Sequence, residues 1–412
     1  MQTAYLSYCV PNAVVKHNMR IVPISWANAR RHPCAGCPLF ERVRIHKSLI
    51  LKSFRFPLCI TALGMLYPSC RMEATKSTET KKREVWIDVS RVLGMFTIAY
   101  GHSRQTMEPG PDSWTGIIGA PIFDAGFPCC LVLMFFFLSA WLQRKSDKLL
   151  EWRQYLLYTI PTVIWNIIHM MIPGNEPETF WQGICLLGLV PYLGSSNSAL
   201  WFMPELAFYS LILPLIRRVP IPLLAAGAII CLYFSQKFQY GAYWVTTKNL
   251  ETVFFILTGA ALSQCDRAAV VKFFKTSAWL IAPVAWFLQL GIVLISIFFY
   301  PISQGPAINP CATYCVLGVW ACLSYGVVLE VLFSRISRWI AYLSPMVFFV
   351  YASHNVFYEL IYHLSNKYGI PLLSGNYFIL YTVGVFGVCF AIWCAVRKLN
   401  CRPLSRYVFL LR

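Results

Sequence analysis

The chain reads as an all-α, polytopic membrane protein with about ten transmembrane helices around a central pore. Three observations point there. Of its 412 residues, 58% are hydrophobic and only 13% charged, with a mean hydropathy of +0.57, far from the composition of soluble domains. Apolar stretches long enough to cross a bilayer recur along the sequence. The net charge of +18 is unevenly divided: residues 1–71 hold ten Lys/Arg against one Asp/Glu. Most of the remaining charge falls in short loops between apolar stretches. That pattern speaks for membrane orientation and against a nucleic-acid partner.

Taken in order, residues 1–71 show no clean signal-peptide pattern, and their longest apolar run, Phe56 to Tyr67, is too short to span. They are expected to be a poorly ordered leader or a mis-assigned start. Residues 72–85 read as a polar cytosolic segment, with the functional chain beginning at or near Met72. Spanning stretches are expected at 86–102, 127–143, 154–172, 199–216, 219–235, 250–265, 278–300, 310–333, 337–363 and 377–396. These form one transmembrane domain over 86–400, followed by a cytosolic tail at 401–412. The run 180–193 is short and broken by Gly and Pro, and reads as interfacial or re-entrant. Lys81-Lys82-Arg83, Arg144-Lys145, Arg217-Arg218, Arg335 with Arg338, and Arg397-Lys398 fall on one side of this arrangement. Both termini are therefore expected to be cytosolic.

Inside the first stretch stand Arg91 and His102, eleven positions apart. Eleven residues are nearly three helical turns, so both project from one face, roughly 16 Å apart along the axis. Ionisable groups within a spanning helix are costly and usually face a protein-lined route, so function is the default reading. The 16 cysteines lie largely in apolar runs and imply no disulfide framework. Cys34-Ala-Gly-Cys37, near His32 and His46, lacks the second tightly spaced ligand pair of a structural zinc site. No metal is expected.

The order of motifs adds a family. Ile87-Asp88-Val89-Ser90-Arg91 followed by His102 resembles the Arg-x10-His signature of the acyltransferase 3 family of integral membrane acyltransferases. Phe135 to Leu142, with Ser139, resembles that family's Phe-Phe-x-x-Ser-Gly segment, with Ala140 where glycine is usual. Leu200-Trp201-Phe202-Met203-Pro204-Glu205 resembles its Leu-Trp-Phe-Leu element. The run from Ser344 through Tyr351 to His354 resembles its Ser-x-x-x-Tyr-x-x-His element. The likeness spans residue 86 to about 360. It implies transfer of an acyl group, commonly acetyl from cytosolic acetyl-CoA, to a sugar hydroxyl of a surface or lipid-linked glycan. The implied partners are the lipid bilayer, a carbohydrate acceptor and other envelope-biosynthesis components.

Within that reaction His102 is the first choice of base, because imidazole titrates near ambient pH. A histidine nucleophile forming an acyl-imidazole is the other option. Arg91 offers a planar donor fork to phosphate or to a developing oxyanion, though it can also snorkel or pair with Asp88. Asp88 is an orienting partner or an interfacial charge. Glu205 orients His102, binds acceptor hydroxyls or makes a structural hydrogen bond. Ser139, Arg144, Lys145 and Arg153 are assigned to the donor. Their plainer readings are packing for Ser139 and positive-inside bias for the three cations. Trp201, Tyr351 and His354 are assigned to substrate, with an interhelical hydrogen bond as the other reading of His354. His169 and His363 receive no role. A glycan transporter is the rival function, and a non-enzymatic subunit of a polysaccharide synthase the weaker third. As no lipase-like domain follows residue 412 in this sequence, transfer is expected to finish in the membrane part or pass to a partner.

Overall fold

Helix α1, Val85–Met107, is the hub. The computed structural model describes residues 84–107, 127–143, 148–189, 195–237, 244–299, 312–369 and 378–399. The leader, Arg144, Lys145, Pro191 to Leu193 and the tail lie outside them. After α1 come α2 (Phe127–Leu142), α3 (Trp152–Met170), the short α4 (Phe180–Leu186), a 3-10 turn (Ser198–Trp201) and α5 (Phe202–Ile216). Then follow α6 (Ile221–Lys237), α7 (Trp244–Leu262), α8 (Arg267–Phe299) and α9 (Ala312–Leu332). Last are α10 (Ser334–Tyr342), a 3-10 turn (Ser344–Met346), α11 (Val347–Tyr368) and α12 (Phe378–Leu399).

A helix lies over each of the ten apolar stretches, and the described residues contain no strand. Among those residues, Ala199–Ile216, Arg267–Leu288, Cys315–Leu332, Ser334–Tyr368 and Leu380–Leu399 are long and apolar enough to cross a bilayer. Leu131–Leu142, Ile221–Ser235 and Asn249–Leu262 are apolar but shorter. α1 and α3 stay outside both sets, because Asp88, Arg91 and His102 on one, and Asn166 and His169 on the other, interrupt the hydrophobic run. The protein is an all-helical integral membrane protein.

Two stretches differ from expectation in detail. The ninth is not one helix: Pro345 has no N–H to continue the ladder, and the chain turns through 3-10 geometry between α10 and α11. The 180–193 run contributes the helix α4, started by Thr179, whose side chain accepts from the Gln182 N–H at 3.1 Å. α4 exposes Phe180 and Trp181.

α1 packs against α2, α9, α10, α11 and α12. Named contacts give the directions. Asp88 meets Ser344 near the start of α11 and His102 meets His354 further along, so α1 and α11 are parallel. Phe96 meets Phe386 while Ser103 meets Thr382, so α12 is antiparallel. α2 is antiparallel as well, with Trp86 against Trp141 and Gly94 facing Met134. α9 likewise runs against α1, with Trp86 and Ser90 facing Gly326 and Gly94 facing Cys322.

Glycine sets the closest seams. A Cβ on Gly326 of α9 would overlap Ser90 Oγ and the Trp86 carbonyl, so these two backbones touch with nothing between them. Cys322 Sγ donates to the Ser90 carbonyl at 3.4 Å in the same seam. On α7, a Cβ at Gly259 would lie 2.6 Å from the Phe137 carbonyl and 2.8 Å from the Ala140 methyl. The methyl at Ala140 therefore finds its room opposite, in a glycine. Charged groups gather at one end. Lys275 lies 3.6 Å from Glu84 and 3.5 Å from Glu330, Arg217 donates to the Ala140 carbonyl near the end of α2, and Arg397 donates to the Tyr342 hydroxyl at 3.4 Å.

Overpacking a closed seam costs about 1–3 kcal/mol. Gly326→Val is expected to lower the melting temperature in detergent by several degrees. Gly387→Ala, on α12 with nothing within 4 Å of the added methyl, leaves it unchanged. Thermal unfolding followed by size-exclusion fluorescence checks the pair.

Candidate active site

The polar residues of α1 meet two different parts of the α10–α11 segment. Near its start, Asp88 is buried and accepts from Ser344 Oγ at 2.7 Å and from Arg91 at 3.3 Å. The break at Pro345 is what delivers Ser344 there, since it seats the hydroxyl in the turn between α10 and α11. Arg91, with 30% of its side chain exposed, is thus held by a carboxylate that is itself anchored. Spacing of i and i+3 places the two on one face of α1.

Further along, the ring of His102 lies 5.1 Å from that of His354. His354 is fully buried. Its Nδ1 sits 2.8 Å from the Tyr351 carbonyl and 3.1 Å from the Val350 carbonyl. Carbonyls only accept, so Nδ1 carries the proton and Nε2 presents a lone pair. That Nε2 is buried with no hydrogen-bond partner among the described residues. The ring stands between Tyr351 at 5.7 Å and Tyr358 at 5.9 Å. Next to His102, Ser103 Oγ donates to the Tyr100 carbonyl at 2.8 Å and lies 3.3 Å from Thr382 of α12.

The other sequence-selected residues are placed as follows. Tyr351 donates to the Ala199 carbonyl and packs edge-on against Phe202 at 4.2 Å. This fixes α11 to the start of α5. Trp201 is half-buried beside Phe202. Glu205 is buried, and its carboxylate accepts from Thr252 of α7 at 3.4 Å. Ser139 is half-buried on α2 and Arg153 is exposed at the start of α3. Arg144 and Lys145 lie outside the described residues. Among the described residues no group of three or more His, Cys, Asp and Glu is arranged to hold a metal ion.

Sequence reasoning passed over Thr252, and over a second polar cluster in which His169, Ser196, Asn175, Asn355 and Glu359 converge. His169 and Glu359 each lie within an apolar helix, where a polar residue is a signal in itself. Asn355 and Glu359 share a face at i and i+4.

The described residues form a helical bundle of membrane character, with Asp88 and His354 buried inside it. The chain belongs to the acyltransferase 3 family: that family's profile, described as an acyltransferase domain, matches residues 84–394. It is an acyltransferase of the kind that transfers groups other than aminoacyl groups. Searches of curated proteins and of solved structures returned no match.

Leaving a buried carboxylate or hydroxyl unpaired costs about 1–3 kcal/mol. Asp88→Ala removes the acceptor shared by the Arg91 guanidinium and the Ser344 hydroxyl, and is expected to destabilise by that amount. Ser344→Ala, which leaves the Asp88 to Arg91 pair in place, is expected to cost less. Thermal unfolding of the two variants beside the wild type orders them.

Proposed function

We propose that the protein moves an acyl group, acetyl in the first instance, from cytosolic acyl-CoA to a hydroxyl of a cell-surface or lipid-linked carbohydrate. The observation that carries this reading is the pairing of His102 with His354 on parallel helices, one of which also carries Arg91 and Asp88 at its other end. His102 takes the proton of the acceptor hydroxyl as its oxygen attacks the thioester carbonyl, and the thiolate departs. The Nε2 lone pair of His354 accepts a hydrogen bond from the arriving hydroxyl or from His102. Arg91, oriented by Asp88, meets the donor's phosphates or the developing oxyanion. Arg144, Lys145 and Arg153 add positive charge at the donor's entrance, and Ser139 lines the donor's path. Trp201 and Tyr351 contact the acceptor, and Glu205, held by Thr252, helps to orient it.

The same proposal places about ten spans around a central pore, with both termini in the cytosol. The helix directions support it. α1, α3 and α11 run one way and α2, α5, α9 and α12 the other, as strict alternation through the ten stretches requires. The end where Lys275, Arg217 and Arg397 gather corresponds to the cytosolic face. The catalytic chain is taken to run from about Met72 through residue 400, with a cytosolic tail at 401–412.

The purified protein in nanodiscs, given acetyl-CoA and an oligosaccharide acceptor, is expected to release free thiol only when the acceptor is present. His102→Ala should lower kcat by about 10²–10⁴, and Arg91→Gln should raise KM for the donor. Full transfer by His102→Ala, or no acceptor-dependent thiol release by the wild type, would sink the reading. Mass spectrometry of surface glycans from cells with and without the protein then identifies the acylated sugar.

A further inference from the structure

We propose that Ser196 is a second reactive centre, a nucleophilic serine that accepts an acyl group through a Ser196–His169–Glu359 relay. Its oxygen lies 2.8 Å from His169 Nδ1, and His169 Nε2 lies 2.8 Å from Glu359 Oε2. The carboxylate is clamped on both oxygens. Asn355 donates to Oε1 at 2.9 Å and Asn175 donates to Oε2 at 2.6 Å. A carboxylate with this many donors acts only as an acceptor, so His169 Nε2 carries the proton. Nδ1 is then the lone-pair nitrogen, and the Ser196 O–H points its proton at it. A nucleophile, a base and an orienting acid therefore stand in hydrogen-bond sequence, the arrangement that activates a hydroxyl.

Fastening alone does not explain the Ser196 contact. The backbone around it is already held: Asn166 Oδ1 accepts from Ser195 Oγ at 2.7 Å and from the Asn197 N–H at 3.0 Å, and the Ser196 N–H donates to the Leu186 carbonyl at 3.0 Å. Asn166 Nδ2 also donates to the Leu187 carbonyl at 2.9 Å. These bonds fix the main chain and leave the Ser196 side chain to point at the imidazole. His354 gives the contrast, since its Nδ1 is spent on backbone carbonyls. Both nitrogens of His169 face side-chain oxygens, Ser196 Oγ at Nδ1 and Glu359 Oε2 at Nε2. Ser196 is half-buried while its base, His169, is buried.

Glu359 stands five residues beyond His354 on α11, about 7–8 Å along the axis. The relay thus lies further from the charged end of the bundle than the histidine pair. In the step proposed, Ser196 Oγ attacks the carbonyl carbon of an activated acyl donor, a thioester, and its proton passes to His169 Nδ1. The adduct collapses with loss of thiolate, which takes that proton, leaving an acyl-serine ester and a free thiol. An acceptor hydroxyl then gives its proton to His169 and attacks the ester, and Ser196 Oγ leaves with that proton. The proposal rests on the acyltransferase family and not on the identity of acceptor or donor chain.

A fluorophosphonate probe tests it without either substrate. Purified full-length protein is treated with the probe, and its peptides are mapped by mass spectrometry. The expected result is an adduct on Ser196, absent in Ser196→Ala and formed about a hundredfold more slowly in His169→Gln. Glu359→Gln, which keeps the shape of the clamp while removing its charge, should slow labelling by at least about tenfold. It serves in place of His169→Gln if that variant does not elute as a monodisperse peak. A monodisperse wild type without an adduct on Ser196 overturns the proposal, as does equal labelling in the wild type and the relay variants. Failure of acetyl-CoA turnover would count against the function proposed above and leave the labelling result standing.

Discussion

Enclosure of α1 on five sides by other helices is the constraint from which the rest of the site follows. A helix facing lipid can send a cation to the headgroups, but a helix inside a bundle has to satisfy its polar groups from its neighbours. Several neighbours of α1 supply a specific answer. Ser344 and Arg91 satisfy Asp88, Thr382 meets Ser103, Cys322 caps the Ser90 carbonyl, and His354 faces His102. The seam with α9 leaves no room for a side chain at Gly326, which fixes the rotation of α1 about its own axis. That rotation decides which residues Arg91 and His102 see.

The bundle also separates its chemistry along its length. The basic side chains Lys275 and Arg397, with the carboxylates of Glu84 and Glu330, lie at one end. Amide, hydroxyl and imidazole groups gather at the other around a single carboxylate, with Asn166, His169 and Ser196 beside Glu359. The histidine pair stands between them. Parallel packing of α1, α3 and α11 makes this gradient continuous, because the three helices bearing His102, His169 and His354 all run from the first end to the second.

Hydropathy made the helices legible, since a spanning helix writes its length into the sequence. The Arg91 to His102 spacing made α1 conspicuous for the same reason: charge in an apolar run has few cheap explanations. What periodicity could not supply was partnership. Glu205 lies near the expected end of its span, and its hydrogen bond with Thr252 is set by how α5 packs on α7 and not by either sequence. The break at Ser344 to Met346 was written in Pro345, but its purpose, bringing a hydroxyl to Asp88, becomes visible only when α10 is laid against α1. Glu359 and Asn175 are separated by 184 residues, and no local pattern joins them. The sequence shows only that each is polar where apolar residues would be less costly.

The lone pair at His354 Nε2 gives the histidine pair a direction. A buried acceptor without a donor raises the free energy of the resting protein by about 1–3 kcal/mol. The backbone carbonyls hold the other nitrogen, so the ring cannot turn to relieve it without breaking both of those bonds. In the reaction proposed above, the cost is recovered when a donor arrives, whether the hydroxyl of an incoming acceptor or an imidazole N–H of His102 once it has taken a proton. The second case matters for rate, because that bond strengthens as proton transfer proceeds and is therefore worth more in the transition state than in the resting complex. A glutamine or a phenylalanine at this position would fill the space, but neither pairs a backbone-anchored N–H with a rigid acceptor on the opposite edge of one ring. Histidine meets both demands, and the packing of Tyr351 and Tyr358 on either side holds that ring against His102.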